Sequence, residues 1–236
     1  PAQWQWTEYL SEEQGRLLHT LAWLVRADAM RGGGANATHL GWLNRIGSDL
    51  LSRRTPYGGL QELLGTPGLC EACPPTSNSA YGDGEAPISQ GNNDTVTDQL
   101  YSNNYALLAL SEAWAATGNG SYGTAADALA AYLAATQAAS SAFPFVSGSW
   151  PRAFHYRLWS YYGSSSDTGW GPWSVESGWT TTWIAAGMAM RALNTSLWDF
   201  LVAPGASGVD AALFAAVCPS FFGAAGCGGG GGGGGA

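Results

Sequence analysis

Leucine recurs with helical spacing in two neighbouring segments near the start of the sequence. Ser11 followed by Gln14 predicts a capping box at the start of the first segment, and the glycines at 32–34 end it. Asn36 or Thr38 can cap the second segment. The apolar faces are Leu17, Leu18, Leu21, Leu24 and Val25 in the first helix, and Leu40, Leu43, Ile46, Leu50 and Leu51 in the second. The pattern predicts a helical hairpin.

A second pair of helices is predicted after residue 97. The turn Gly118-Asn119-Gly120 between them offers residues that tolerate a left-handed backbone. One face of the first helix carries Leu100, Leu107, Leu108 and Trp114, and one face of the second carries Ala126, Leu129, Tyr132 and Leu133. A third long helix at 177–193 is apolar nearly all round, so we expect neighbours to bury it. Shorter helices at 196–202 and 209–217 complete an all-α fold class.

Long segments without helical periodicity separate these helices. Residues 55–96 are rich in Gly, Pro, Ser and Asn, with a short helix predicted around residues 60–64, and a loop of this length is usually functional or disordered. Residues 139–174 form a second, aromatic loop. The glycine tract at 228–235 has no side chains to bury, so residues 223–236 are expected to form a flexible tail. We therefore expect a single helical domain over residues 1–222.

The charge balance removes several functional classes. The chain of 236 residues has 9 basic and 17 acidic residues and a net charge of −8. It therefore lacks the basic surface that nucleic acids or anionic membranes require, and no apolar run is long enough to span a bilayer. We expect neither nucleic-acid partners nor membrane insertion. Trp is unusually frequent, at 12 residues, and its large ring either fills a core or stacks on the apolar face of a sugar.

Four Asn-X-Ser/Thr sequons and an even number of cysteines are both typical of secreted or surface-exposed proteins. The sequons begin at Asn36, Asn93, Asn119 and Asn194. Two local disulfides, Cys70 with Cys73 and Cys218 with Cys227, are the simplest pairing, although four cysteines allow three pairings. A zinc site formed by the four thiolates is the alternative, and the unequal spacing of the two cysteine pairs disfavours it. We expect a processed, secreted or surface-exposed glycoprotein without a metal or cofactor.

Several segments resemble a known superfamily. Residues 105–110 read Tyr-Ala-Leu-Leu-Ala-Leu and are followed by Thr-Gly-Asn at 117–119, as in the helical-hairpin unit of six-hairpin glycosidases. The Trp-rich segments at 150–164, 167–180 and 194–199 resemble secreted members of that superfamily whose substrates are not well assigned. The resemblance covers about residues 97–200 and implies an α/α toroid acting on carbohydrate. Six-hairpin enzymes have twelve helices, whereas about seven are predicted here, so further polypeptide or another subunit is expected to complete the ring.

Glycoside hydrolysis, which the resemblance implies, needs two carboxyl groups beside the scissile bond. Glu176 lies among aromatic residues that can desolvate it, as a general acid requires, and Asp167 opens the same segment. Glu176 could instead cap the third helix or pair with Arg152 or Arg157. The residues expected to contact a sugar are Trp150, Arg152, His155, Tyr156, Trp170, Trp173 and Trp179.

Other polar residues favour structural roles. Asp98 is interpreted as a helix-start residue, and Asp83 and Glu85 as loop residues. A lone histidine among aromatic residues, such as His155, is more often a hydrogen-bonded packing residue than a catalyst. Two hypotheses follow. The first is a secreted glycoside hydrolase acting on a polysaccharide or glycan, and the second is a noncatalytic structural or glycan-binding glycoprotein that assembles with other chains.

Overall fold

The computed structural model describes residues 10–61, 96–151, 153–162 and 178–201. The chain forms two units, Pro1–Ala189 and Met190–Ala236. About two thirds of the described residues are helical, in agreement with the predicted fold class. The helix at 209–217, the cysteines, Asn93 and the tail at 223–236 lie outside the described residues. Within the described part of the chain, no helix is both long and apolar enough to cross a membrane.

The described residues contain α-helices, short strands, one π-helical turn and one 3₁₀ turn. The α-helices are α1 (Leu10–Met30), α2 (Ala37–Leu51), α3 (Asn104–Thr117), α4 (Gly120–Ala135), α5 (Gly178–Ala192) and α6 (Leu197–Leu201). The strands are β1 (Val96–Asp98), β2 (Ala153–His155) and β3 (Ser160–Tyr162). A π-helical turn spans Gln99–Asn103 and a 3₁₀ turn spans Pro144–Val146.

Helices α1 and α2 form the predicted hairpin. The Asn36 side-chain oxygen accepts the N–H of Thr38 at 2.8 Å and so caps α2. The leucine and isoleucine positions predicted for the apolar face of α2 include the buried Leu43, Ile46 and Leu50. The role predicted for Ser11 is wrong, because Ser11 lies inside α1 and its hydroxyl donates to the Gln61 carbonyl at 2.6 Å. A tertiary contact therefore takes the place of the expected local cap.

Helices α3 and α4 form the second predicted hairpin. The Asp98 carboxylate accepts the N–H groups of Leu100 and Tyr101 at 2.8 and 3.2 Å, which confirms its predicted role at the start of the helical segment. Gly118 adopts φ 68° and ends α3, as the turn pattern predicts. The Asn119 side-chain oxygen then accepts the N–H of Ser121 at 3.0 Å and caps α4.

A small antiparallel sheet follows the order β1-β2-β3. Thr97 pairs with Phe154, and Phe154 pairs with Tyr161. Strands β2 and β3 fall within 139–174, where the helical pattern predicts only a loop. Each strand has three residues, which is too short for an alternating pattern to be recognised in the sequence. The Thr97 hydroxyl also donates to the Phe154 carbonyl at 3.1 Å, so the sheet is joined by a side chain as well as by its backbone.

The core of the first unit is formed where α1 packs against α2 and α3, and α3 packs against α4. Aromatic side chains from the sheet region, Trp150, Phe154 and Tyr156, join this apolar cluster. Other fully buried members are Leu18, Leu43, Leu50, Leu107, Leu129, Leu133 and Ile184. The two hairpins therefore pack against each other through α1 and α3, and aromatic residues of the sheet region complete the same core.

Helix α5 matches the predicted helix at 177–193 closely in its bounds. Ile184 is buried, and a Cβ atom added at Gly187 would lie 2.9 Å from Cδ2 of Leu107. The expectation that neighbours bury this helix is wrong for part of its surface, since Trp183 is 40% exposed. In the second unit, Ser196 and Asp199 form reciprocal hydrogen bonds of 2.8 and 3.1 Å that cap the predicted short helix α6.

Substitution by alanine is expected to have opposite effects on stability at two glycines of α2. A Cβ at Gly47 would lie 2.5 Å from the buried Tyr122 ring, whereas nothing lies within 4 Å of the position at Gly41. Gly41→Ala should raise the free energy of unfolding by about 1 kcal/mol through helix propensity. Gly47→Ala should lower it by about 1–2 kcal/mol because overpacking outweighs that gain. Denaturant unfolding measures the change in the free energy of unfolding of each variant. Changes in the same direction would contradict the packing of Tyr122 against Gly47.

Candidate functional site

Residues 53–61 form an ordered turn, which we call the 53–61 turn. The N–H of Thr55 donates to the Gly59 carbonyl at 2.7 Å, and the N–H of Gln61 donates to the Arg53 carbonyl at 3.2 Å. Arg54 and Leu60 form an isolated antiparallel bridge. The helix predicted around residues 60–64 is therefore wrong at Leu60 and Gln61, and residues 62–64 lie outside the described part of the chain.

A buried amide holds the 53–61 turn against the start of α3. The Asn103 side-chain oxygen accepts the N–H of Leu60 at 2.8 Å, and its nitrogen donates to the Leu60 carbonyl at 3.1 Å and to the Asp98 carbonyl at 2.6 Å. Asn103 therefore acts on Leu60 as a neighbouring strand would, satisfying both of its backbone groups.

Helix α1 holds the two ends of the same turn. The Arg53 guanidinium donates to the Gln14 side-chain oxygen at 2.5 Å and to the Asp49 carbonyl at 2.9 Å. The Ser11 hydroxyl reaches Gln61 at the other end, as described above. Since α1, α2 and the start of α3 all bind the turn, its position is set by the helical core rather than by its own sequence.

Helix α4 contacts the turn through two glycines. Gly58 adopts φ 98°, and a Cβ there would lie 2.4 Å from the Ala128 carbonyl oxygen. A Cβ at Gly59 would lie 2.5 Å from the Tyr132 ring. Only glycine allows this close approach of the turn to α4. Tyr57, just before these glycines, is thereby carried on a fixed backbone while its ring is 53% exposed.

The turn between β2 and β3 carries Trp159 in a strained conformation. Trp159 adopts φ 52°, the left-handed region, which costs about 1–2 kcal/mol for a residue with a Cβ. The N–H of Leu158 donates to Nδ1 of His155 at 3.1 Å, so the neutral His155 ring carries its proton on Nε2. A tryptophan held this way and still 47% exposed is a feature typical of functional surfaces.

The two turns bring three aromatic rings together, and we call Tyr57, Tyr156 and Trp159 the aromatic cluster. The ring centroids of Tyr57 and Trp159 are 5.5 Å apart, and those of Tyr57 and Tyr156 are 6.0 Å apart. Tyr156 is buried beneath and accepts a hydrogen bond from the Gln61 amide at 3.2 Å. The outer face of the cluster therefore consists of the exposed Tyr57 and Trp159 rings, with polar groups of Gln61 and Tyr156 behind them.

Buried side chains support Trp159 from below. Its ring centroid lies 5.2 Å from that of Phe154 and 6.2 Å from that of Tyr132, both at edge-to-face angles. The Tyr132 and Thr97 hydroxyl oxygens are 2.6 Å apart. Because a hydroxyl carries one proton and Thr97 donates its own to Phe154, Tyr132 is the donor to Thr97. Burial raises the pKa of Tyr132.

The sugar-contact residues suggested by the sequence are distributed unevenly. Tyr156 is a member of the aromatic cluster, and His155 is its neighbour in sequence, with a ring that accepts the Leu158 N–H. Trp150 is only 3% exposed and its indole N–H donates to the Leu133 carbonyl at 2.6 Å, so its ring lies in the core. The backbone of Trp179 belongs to the first turn of α5. Outside the described residues lie Arg152, Asp167, Trp170, Trp173 and Glu176.

Sequence reasoning missed Tyr57, Gln61 and Trp159. Tyr57 is an isolated aromatic residue in a segment rich in Gly and Pro, and Trp159 lies within the Trp-rich region without any local feature that marks it. The left-handed backbone of Trp159 has no sequence signal, because Gly or Asn is the usual residue there. The pairing of Tyr57 with Trp159 depends on contacts between distant segments.

Three carboxylates of the described helices have structural partners. Glu112 is fully buried on α3 and its carboxylate accepts the indole N–H of Trp23 at 2.9 Å. Glu12 and Glu13 pair with Arg16 at 2.5 and 3.1 Å. Among the residues that the structure describes, no group of three or more His, Cys, Asp or Glu side chains could hold a metal ion.

No family model, no curated protein and no solved structure matches this chain. The likeness to six-hairpin glycosidases therefore rests on the residues quoted from the sequence.

Proposed function

We propose that this chain binds a carbohydrate at the aromatic cluster. The observation that carries the proposal is the pair of exposed rings, Tyr57 and Trp159, 5.5 Å apart and fixed by buried contacts. Their rigidity means that little side-chain entropy is lost when a ligand binds. An enforced left-handed tryptophan that stays partly exposed is better explained by ligand contact than by stability, because burial of the ring is incomplete.

A sugar fits this surface better than other ligand classes. The C–H faces of pyranose rings pack on aromatic rings, and sugar hydroxyls hydrogen-bond to nearby phenol, amide and imidazole groups. Tyr57 and Gln61 supply such groups at the cluster, and the imidazole of His155 is adjacent in sequence to Tyr156. The net charge of −8 disfavours polyanionic ligands, so we propose a neutral polysaccharide or glycan as the ligand class.

Within the all-α class, we propose that the helices form part of an α/α toroid of the six-hairpin type. Its support is the succession of two helical hairpins, α1 with α2 and α3 with α4, that pack through α1 and α3. Further polypeptide or another subunit would add the remaining helices. We also propose that the chain is a secreted or surface-exposed glycoprotein, which the exposed sequon residues Asn36, Asn119 and Asn194 support.

The second candidate function is glycoside hydrolysis by Glu176 and Asp167. Its support is the sequence, in which Glu176 lies among aromatic residues that can desolvate a general acid and Asp167 opens the same segment. Trp170, Trp173 and Trp179 would then extend the sugar-binding surface. Release of reducing ends from a bound polysaccharide, abolished in Glu176→Gln with binding unchanged, would support hydrolysis; absence of release from the wild-type chain would favour the noncatalytic role.

Replacing Trp159 should weaken carbohydrate binding without unfolding the protein. Trp159→Gly removes the ring and also relieves the left-handed backbone, so part of the lost packing energy is recovered. We expect the dissociation constant for the tightest ligand in a panel of neutral oligosaccharides to rise at least about tenfold, equivalent to about 1.4 kcal/mol. Isothermal titration calorimetry measures the change.

Phe145→Ala is the matched control for this test. Phe145 is 72% exposed on the 3₁₀ turn and contacts Phe143, so it is an aromatic residue outside the aromatic cluster that is even more accessible than Trp159. Its replacement should leave the dissociation constant within about twofold of wild type. Equal losses in the Phe145 and Trp159 variants, or full affinity in a folded Trp159→Gly protein, would refute the proposed site.

A further inference from the structure

A cavity lies between α2 and the start of α4. Its volume is about 360 Å³, within the size range of ligand-binding pockets, roughly 300–1,000 Å³. Its lining residues are Asn44, Ser48, Leu51, Asn119, Ser121 and Tyr122. These side chains offer amide and hydroxyl groups beside one leucine and one aromatic ring, and none of them carries a charge. The lining is suited to a neutral polyhydroxylated ring.

One of the lining residues is itself an acceptor for N-glycosylation. Asn119 begins the sequon Asn119-Gly120-Ser121 and is exposed. Its side-chain oxygen is used to cap α4 by accepting the N–H of Ser121 at 3.0 Å. Capping uses the oxygen only, so a sugar on the side-chain nitrogen Nδ2 leaves the cap intact.

Resting on the proposal that the chain is a secreted or surface-exposed glycoprotein, we infer that Asn119 carries an N-linked glycan whose first sugar lies in this cavity and joins α4 to α2. In the modification, the Asn119 Nδ2 forms a bond to C1 of the sugar, and the bond from C1 to a lipid-diphosphate oligosaccharide donor breaks. The donor leaves as the lipid diphosphate, and the Nδ2 proton passes to a base of the transferase. The attached sugar then exchanges water contacts for the amide and hydroxyl groups of Asn44, Ser48 and Ser121.

The sequon at Asn36 has different surroundings from the sequon at Asn119. Both asparagines are exposed and both cap a helix through the side-chain oxygen. The backbone N–H of Asn36, however, donates to the Asp28 carboxylate at 3.1 Å, and that carboxylate also lies 2.7 Å from Nδ1 of His39. The neighbourhood of Asn36 is thus an ionic turn, whereas Asn119 lines a neutral cavity. A glycan at Asn36 should extend into solvent and affect stability little.

The test uses the full chain secreted from a eukaryotic host and the same chain made unglycosylated in bacteria. Glycopeptide mass spectrometry should find Asn119 modified in wild type and in Ser121→Thr, and unmodified in Ser121→Ala, in which the cap of α4 remains. Among the secreted proteins, Ser121→Ala should lower the melting temperature by about 2–4 °C relative to wild type. The same substitution should leave the melting temperature of the bacterial protein unchanged. Thr38→Ala, which removes only the Asn36 sequon, should change the melting temperature of the secreted protein by less than about 1 °C.

A second variant distinguishes attachment of the glycan from its seating in the cavity. Ser48→Phe places a ring in the cavity from the exposed side of α2, so Asn119 should stay modified while the stabilisation by the glycan disappears. An unmodified Asn119 in the secreted protein would overturn the inference. So would a modified Asn119 whose removal leaves the melting temperature unchanged, or a stabilisation that persists in Ser48→Phe. Sugar binding at the aromatic cluster is measured independently, so either proposal can fail alone.

Discussion

Replacing Asn103 with alanine is expected to lower the free energy of unfolding by about 3–5 kcal/mol, since each buried polar group that loses its partner costs about 1–3 kcal/mol. Leu60 is buried, and around its bridge with Arg54 the backbone hydrogen bonds join Thr55 to Gly59 and Gln61 to Arg53. The Leu60 N–H and C=O both rely on the Asn103 amide. Alanine at 103 would leave both groups and the Asp98 carbonyl without this partner.

Denaturant unfolding measures this loss, and Asn44→Ala provides a matched control. Asn44 is an exposed asparagine of α2 whose side-chain oxygen accepts the Tyr122 hydroxyl at 3.2 Å, so its replacement should cost about 1 kcal/mol or less. Asn103→Asp keeps the oxygen that accepts the Leu60 N–H but replaces the donating nitrogen by an oxygen. This oxygen would face the carbonyl oxygens of Leu60 and Asp98, so the substitution should also destabilise the protein strongly. If Asn103→Ala cost no more than Asn44→Ala, the 53–61 turn would not be held as described.

The second large effect is expected at Gly58. Alanine there must adopt φ 98° and must also place its Cβ where the Ala128 carbonyl oxygen lies 2.4 Å away. The backbone strain costs about 1–2 kcal/mol and the steric displacement about 1–3 kcal/mol more. Gly58→Ala should therefore lower the free energy of unfolding by about 2–5 kcal/mol, and it should weaken carbohydrate binding because it moves Tyr57.

Gly32→Ala measures the cost of backbone strain without a steric contact. Gly32 adopts φ 84° but has no atom within 4 Å of an added Cβ, so only the backbone strain applies. Its replacement should cost about 1–2 kcal/mol and leave binding unchanged. The difference between the two variants, read from their denaturant midpoints, measures the contact between the 53–61 turn and α4. A difference near zero would mean that this contact is absent in solution.

The helices could be predicted from the sequence because their signals are local. Leucines at helical spacing, Asn36 and Asn119 as caps, and Gly118 as a left-handed terminator all act within a few residues. The bounds of α5 and the start of α6 followed from the same kind of pattern.

The candidate site could be predicted only in part, because tertiary contacts form it. His155 and Tyr156 were suggested by the Trp-rich segment, but Tyr57 joins them only because Asn103 binds Leu60 and two glycines approach α4. At Leu60 the local preference for helix is overridden by that buried amide. Ser11 likewise binds Gln61 across a long stretch of chain instead of capping its own helix. None of these pairings leaves a periodic pattern in the sequence.

The most direct test of the proposed sugar-binding site is an ¹H–¹⁵N spectrum of the tryptophan indole groups during titration with the tightest-binding oligosaccharide. The Trp159 signal is assigned from its absence in Trp159→Gly, and the Trp150 signal is an internal control because its N–H is buried and donates to the Leu133 carbonyl. We predict that the Trp159 signal shifts saturably with the same dissociation constant as calorimetry gives, while the Trp150 signal stays in place. A saturable titration that leaves the Trp159 signal unmoved would contradict the proposal.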